Sequence, residues 1–460
     1  MDRRVWVTLG IMAAGLPIWG QPAPSEQVSA RDEFFDVFNE HPRLFLDAQR
    51  LRRLRRERER RTMRWLQFET LMAGRAPMAE PGFAGALFYQ ASGDKEIGRR
   101  ALQWALSSEA KDLRQLALVF DWCQPILSEA DSRALQVKLQ AGFHAKEKST
   151  SLAAIRDRTL AALALAGHDP WNSKPFFEWL VKQWWRVEIT PQLKAGRSVI
   201  SRDESLPLME LMHAVRDNLQ IDLREGVGSW FKELPIYHLL TYYPATFPGA
   251  ENEFRIPVSK TIVEPDTRRA LESRVAELAM IAYETNAPET QVIQGWLMHD
   301  RFLLRGTLGI THEFLWANPY QPGLSYYHVP LIHHDALFGR LFVRSSWEDD
   351  ATWLGYWDGQ LQMFKDGQPQ KLKLDTSQGP ISFPDLLILT GGYARKCRIE
   401  LTEEQELFIL GLKPGARYDI EMEDEEIFEV QADKGGMVHL KPPRKKPLDF
   451  RMHEAGAGLS

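Results

Sequence analysis

A helical first half followed by a strand-built second half is the fold that the sequence predicts, and three observations predict it. From Asp47 to about Asn286 apolar residues recur at helical spacing, in segments of about 12 to 20 residues broken by Gly, Pro, Asp or Ser. The cluster Asn318-Pro319-Tyr320-Gln321-Pro322-Gly323 then gathers turn-forming residues into a boundary. Beyond it, short β-rich runs with period-two alternation take over. Repeated helical hairpins fit a toroid or an α-solenoid, and the second half fits an antiparallel sandwich.

The elements follow in order. Residues 1–20 read as an export signal, with Arg3 and Arg4 ahead of an apolar stretch from Val5 to Trp19 that is too short to span a bilayer comfortably. The arginine-rich stretch from Arg43 to Arg64 opens the helical part, and Leu51, Leu54, Trp65 and Phe68 supply its apolar face. Leu113 to Phe120 begins a second stretch that stops near Gln124-Pro125. Ser128 with Asp131 three residues on marks the next helix start. Helices continue over 151–166, 170–187, 205–219, 230–243 and 267–284. In the second half Leu341 to Trp347 and Thr352 to Trp357 read as a hairpin, and Tyr418, Ile420 and Met422 share one face of a later strand. The Pro-rich basic patch and small residues over 443–460 predict a flexible tail.

At 460 residues, 44% hydrophobic and 26% charged, the chain can build two or more cores. Its formal net charge of -5 argues against nucleic acid as partner. Cys123 and Cys397 are too few and too far apart for a disulfide framework or a cysteine metal site. His333 and His334 would point to opposite faces of a strand, so they predict no shared metal ion. No cofactor, metal or membrane span of the mature chain is expected.

His41-Pro42-Arg43-Leu44-Phe45-Leu46, running directly into the arginine-studded Asp47 to Arg55, resembles the opening of the heparinase II/III-like polysaccharide lyases. Phe120-Asp121-Trp122 ahead of Leu127-Ser128-Glu129 is similar to the family's aromatic-Asp-Trp element and helix start. Phe342-Val343-Arg344-Ser345-Ser346-Trp347, with Asp350 to Leu354, is similar to its strand hairpin. The resemblance covers most of the mature chain. It implies an N-terminal (α/α) toroid of helical hairpins over 31–318, an antiparallel β-sandwich domain over 326–442, and an acidic, uronate-containing polysaccharide held between them by a periplasmic or secreted protein.

The chemistry of the family departs at defined places. Where members carry an Asn-His pair, this chain reads Ser149-Thr150-Ser151-Leu152-Ala153-Ala154, and Leu208 and Met209 stand where a catalytic tyrosine is expected. Gly359-Gln360-Leu361-Gln362 replaces a histidine-rich strand. A lyase acting on a uronate needs a group to stabilise the developing enolate and a base beside it. Tyr237 and His238 are the catalytic candidates in the sequence, with Arg156, Arg158, Arg202, Tyr242 and Tyr243 as substrate-binding candidates. Asp203-Glu204 reads better as a helix cap than as a hydrolytic carboxylate pair. The tryptophans at 171, 179, 184 and 185 fit core packing at helical spacing. The alternative to an eliminating enzyme is an inactive glycan-binding or structural envelope protein of the same fold.

Overall fold

The computed structural model describes residues 34–38, 40–249, 253–261, 265–300, 304–392, 397–402, 405–422, 426–441 and 448–455. The expected signal over 1–20 lies outside the described residues. So do 442–447 and 456–460.

Side-chain caps set most of the early helix starts. Asp47 accepts from the backbone N–H groups of Gln49 and Arg50 to begin α1 (Ala48–Glu59), and Thr62 caps α2 (Met63–Ala73). After α3 (Pro81–Ser92), the side chains of Asp94, Asp112, Ser128 and Ser151 cap α4 (Lys95–Leu106), α5 (Leu113–Trp122), α6 (Glu129–Ala145) and α7 (Leu152–Leu165). Helix α8 (Lys174–Glu178) passes through a π-helical stretch, Trp179–Ile189, into α9 (Thr190–Lys194). Helices α10 (Ser205–Leu219), α11 (Gly228–Leu240), α12 (Thr267–Tyr283), α13 (Pro288–His299) and α14 (Ile310–Trp316) complete the helical part.

Six of these helices pack in the order α3, α5, α7, α10, α12, α14, and α14 returns to α3. Every residue of α5 is buried, as are Gly82 to Ala91 in α3, because these helices are apolar on all sides. Helices α2, α4, α6 and α13 pack outside them. Helix α4 buries only the stripe Ile97, Gly98, Ala101, Leu102 and Ala105, as a helix with one covered face should.

The segment ahead of α1 closes one end of this ring. The Asp121 carboxylate near the end of α5 accepts from the backbone N–H of Arg43 at 2.9 Å and of Leu44 at 2.8 Å, and lies 2.5 Å from His41 Nδ1. Trp122 Nε1 donates to Leu44 O at 2.8 Å. Leu44, Phe45 and Leu46 are fully buried as a result, with the Phe45 ring 5.2 Å from Trp316. The two motifs His41 to Leu46 and Phe120 to Trp122 therefore touch one another.

Strands β1 (Tyr242–Pro248) and β2 (Glu253–Pro257) form a hairpin within the helical half. A helix was expected to run on to Tyr243. It ends at Leu240 instead, because Tyr242 to Phe247 is aromatic-rich and contains Pro244, a composition that suits a strand better than a helix.

Among the described residues the second half holds three sheets, predominantly antiparallel. The first runs β3 (Ile332–Asp335), β4 (Arg340–Arg344), β5 (Trp353–Trp357), β6 (Gln360–Lys365), β7 (Gln368–Leu372) in sequence order. The remaining strands are β8 (Ile381–Phe383), β9 (Leu386–Thr390), β10 (Cys397–Ile399), β11 (Glu406–Leu410), β12 (Arg417–Met422), β13 (Glu426–Gln431), β14 (Val438–Leu440) and β15 (Leu448–Glu454). They build a second sheet, β14-β11-β9-β8, and a third, β10-β15-β12-β13. Strands β9 and β11 pair in parallel, against the expectation of a wholly antiparallel half. Both are near-continuous apolar runs, the composition that goes with burial on two faces.

Alternation explains the stacking. Leu386, Ile388, Phe408 and Leu410 pack with Leu341, Val343, Leu354 and Tyr356 of the first sheet, while Leu387, Leu389, Leu407 and Ile409 pack with Ile420, Phe450 and Met452 of the third. The other face of the first sheet, carrying Phe342, Trp353, Trp357 and Phe364, belongs to the helical core. Trp353 Nε1 donates to Leu240 O at 2.8 Å across that contact. The described residues from Phe35 onward accordingly form one compact unit, which is not divided near the expected boundary at 319–323.

The expected tail also needs correction, since β15 lies between β10 and β12. Leu448, Phe450 and Met452 alternate inward, a strand pattern masked in the sequence by the basic Pro-rich patch beside it. Asp121 supports the fold most directly. Replacing it with Ala is predicted to cost about 3–5 kcal/mol in chemical denaturation, because it strands buried donors of Arg43 and Leu44; a loss below about 1 kcal/mol would show that the segment is held by packing alone.

Candidate functional site

The nominated residues do not converge on one place. Arg202, His238 and Tyr242 meet around Glu277 of α12. His238 Nε2 lies 2.9 Å from Ser205 Oγ and its Nδ1 lies 3.2 Å from Glu277 Oε1. The Tyr242 hydroxyl donates to Glu277 Oε1 at 2.8 Å. Arg202 donates to Glu277 Oε1 at 3.2 Å, to Ser273 Oγ at 2.9 Å and to His238 O at 2.8 Å, and its guanidinium sits 4.3 Å from the Tyr242 ring centre.

Serine, histidine and carboxylate here have the connectivity of an acyl-transfer triad. Ser205, His238 and Glu277 are all fully enclosed, however, so no substrate carbonyl reaches the Ser205 hydroxyl. Burial, reinforced by the Arg202 charge, pushes His238 down to about 4, and burial with the Glu277 charge raises Tyr242 above the ordinary phenol value. A neutral imidazole and a neutral phenol are what a closed polar knot requires.

Tyr243 lies elsewhere, donating its hydroxyl to Gln362 Oε1 at 2.8 Å, while Gln362 Nε2 donates to Ser259 O at 2.8 Å. Gln362 is thus a fully buried link between the first sheet and the helical part. Burial pushes Tyr243 up to about 12.

Arg156 and Arg158 part company because two residues on a helix are about 200° apart. Arg158 points out toward Phe143 and Phe176, its guanidinium 4.5 and 4.7 Å from their ring centres. Arg156 points inward, pairing with Glu210 and donating to Asp157 at 2.7 Å. Arg114 joins the same Glu210 at 2.6 Å and Glu80 at 2.8 Å, and His312 Nε2 lies 2.7 Å from Glu80. Since α5 and α10 are not neighbours in the ring, the Arg114–Glu210 pair crosses its interior. Burial would raise Glu210, but Arg114 and Arg156 outweigh it and hold the carboxyl below its usual range. The cations of this network are matched by Glu80, Glu210 and Asp157.

Tyr237 and Arg202 are the nominees that line a cavity, between the helical part and the first sheet. His333, Glu233, Asp335 and Arg340 line it too. The Arg340 guanidinium lies 4.5 Å from the Tyr237 ring centre, and His333 Nε2 lies 3.6 Å from Glu233. Burial lowers His333, with Glu233 and Asp335 opposing. The open volume is about 20 Å³, room for roughly one water molecule. In the sequence His333 stands out only beside His334, as a metal pair. Strand alternation does send the two apart, His334 toward Asp433 at 2.9 Å, and leaves His333 facing Tyr237's cavity.

Glu204 serves the helix start, as expected, with Ser201 Oγ donating to it at 2.8 Å, whereas Asp203 pairs with Arg269 at 2.8 Å. No helix among the described residues is long and apolar enough to cross a membrane. No protein-family model matches the chain, and no curated protein matches it. A solved structure titled "Glycoside hydrolase" aligns with a TM-score of 0.29 and 9% identity, over 82% of this chain and 71% of that one. Likeness at that level bears on neither activity nor substrate.

The knot around Glu277 makes a pH prediction. His238 is neutral in the fold, so an unfolded imidazole titrating near 6.5 takes up a proton that the folded one refuses until about 4. Its contribution is complete above pH 6.5 and is lost as pH falls toward 4. The melting temperature of the wild type should fall more steeply across that window than that of His238→Gln; parallel slopes would show that His238 does not titrate in this way.

Proposed function

We propose that this chain is an exported, heparinase-like toroid protein, with a β-sandwich-derived second half, that binds an acidic polysaccharide and has little or no eliminating activity. One observation carries the second clause. Of the groups nominated for proton transfer and uronate binding, all but Tyr237 and Arg158 are spent on internal hydrogen bonds or ion pairs, with His238, Arg202 and Tyr242 around Glu277, Tyr243 on Gln362 and Arg156 on Glu210 and Asp157, while Arg158 is buried among aromatic rings. A lyase must offer a free cation or hydrogen-bond donor to the substrate carboxylate. The charge-matched ring interior offers none from Arg114 or Arg156. The sequence resemblance and the closed order of the six inner helices support the architecture, and the resemblance supports the acidic glycan.

A second reading has its own observation. Tyr237, His333 and Arg340 share a cavity at the contact between helices and sheet, and a phenol, an imidazole and a guanidinium are the groups a β-elimination uses. That cavity would have to open before a sugar entered. Heparan, chondroitin, alginate and polygalacturonate, each incubated with the protein while the ultraviolet absorbance of the unsaturated product is followed, should give no sustained turnover. Robust turnover that disappears in a Tyr237→Phe, His333→Ala double variant would favour the second reading, and turnover that survives it would defeat both.

A further inference from the structure

A large groove lies at the other end of the ring. Helix α1 runs across the end at which α12 and α14 finish, and between them is a groove of about 820 Å³. Among the described residues six arginines line it, against a single carboxylate, Asp47, already spent on the α1 cap. The arginines divide by face. Arg50 is buried over Trp316, its guanidinium 4.8 Å from the ring centre, and Arg53 donates to Leu315 O at 2.8 Å. Burial and the charges of Arg50 and Arg64 push Arg53 down to about 10.

Arg52, Arg56 and Arg60 form the other face and are exposed. They stand four residues apart on one stripe of the helix, where like charges repel. Arg52 bonds only to Ala48 O, at 3.4 Å, and Arg60 reaches Tyr320 Oη at 3.5 Å. None of the three has an ion-pair partner among the described residues. Across the groove stand Asn318, Tyr283 and Tyr320, the last 58% exposed. In a chain whose net charge is -5, three unpaired guanidinium groups facing an aromatic ring and an amide make a concentrated acceptor for anions.

We infer that this groove binds the acidic sugars of a polysaccharide, with Arg52, Arg56 and Arg60 gripping carboxylate or sulfate groups and Tyr320 packing on a sugar ring. The inference rests on the acidic-glycan reading above and moves the binding site from the helix–sheet contact to the far end of the ring. The walls favour a chain-like polyanion over a bilayer, which is met by a convex amphipathic surface with apolar side chains to insert.

The test is titration of the full chain with heparin and with polygalacturonate. An Arg52→Gln, Arg56→Gln, Arg60→Gln variant, checked for an unchanged melting temperature, should bind about tenfold more weakly or worse, with a shallower salt dependence. Tyr320→Ala should weaken oligosaccharide binding, and an Arg133→Gln, Arg268→Gln control elsewhere on the surface should bind as the wild type does. Undiminished binding by the triple variant would overturn the groove and leave the acidic-glycan reading standing. Failure of the wild type to bind either glycan would overturn both. Equal or tighter capture of phosphatidylglycerol vesicles or single-stranded DNA through the same arginines would overturn the assignment to glycan.

Discussion

Six helices that finish at one end of a ring leave their last carbonyls there, together with the negative ends of their dipoles, and the rest of the structure depends on how that end is satisfied. Arginines do most of it. Arg55 and Arg58 donate to Gln90 O and Ser92 O of α3, Arg43 to Leu163 O and Ala166 O at the end of α7, Arg216 to Tyr283 O of α12, and Arg53 and Arg64 to Leu315 O, Glu313 O and Ala317 O of α14. Gln90 serves Trp122 O of α5, and the Phe38 N–H serves Asn218 O of α10. A cation at a helix C-terminus contributes about 0.3–1 kcal/mol each, and a buried carbonyl left without a partner costs more than that. At the opposite end, where the same helices begin, Glu80 and Glu210 gather with their arginines, the sign of charge that helix N-termini favour.

This division of labour explains the arginine run at the start of the chain. The inward arginines are part of the fold, and only the stripe at 52, 56 and 60 is left over for a ligand. It also gives the motif His41 to Leu46 a physical role. Asp121 fixes that segment by its backbone, and the segment in turn delivers Arg43 to the end of α7 and leads into α1.

Much of the fold was legible because it is written in short-range patterns. Capping residues such as Ser128 and Ser151 mark helix starts, and the alternation of Tyr418, Ile420 and Met422 marks a strand. The hairpin at 242–257 and the strand at 448–454 were missed because prolines and charges beside them outweighed a weaker alternation. The site was much less legible. Nothing local shows that Glu277, some 40 residues from His238, closes over it, or that Arg114 crosses the ring to Glu210, since those partners are brought together only by the packing of α11 with α12 and of α5 and α10 on either side of α7. Two features were readable in principle: the opposed directions of Arg156 and Arg158 follow from helical geometry alone, and His333 follows from strand alternation.

Hydrogen–deuterium exchange with and without a saturating acidic oligosaccharide measures directly where the ligand sits. Protection on binding is predicted over residues 47–60, 281–285 and 316–321, the walls of the arginine groove, with the segments at 200–205, 233–238 and 333–342 unchanged. Protection confined to those latter segments would contradict the account, because it would place the ligand in the helix–sheet cavity beside Tyr237 and His333.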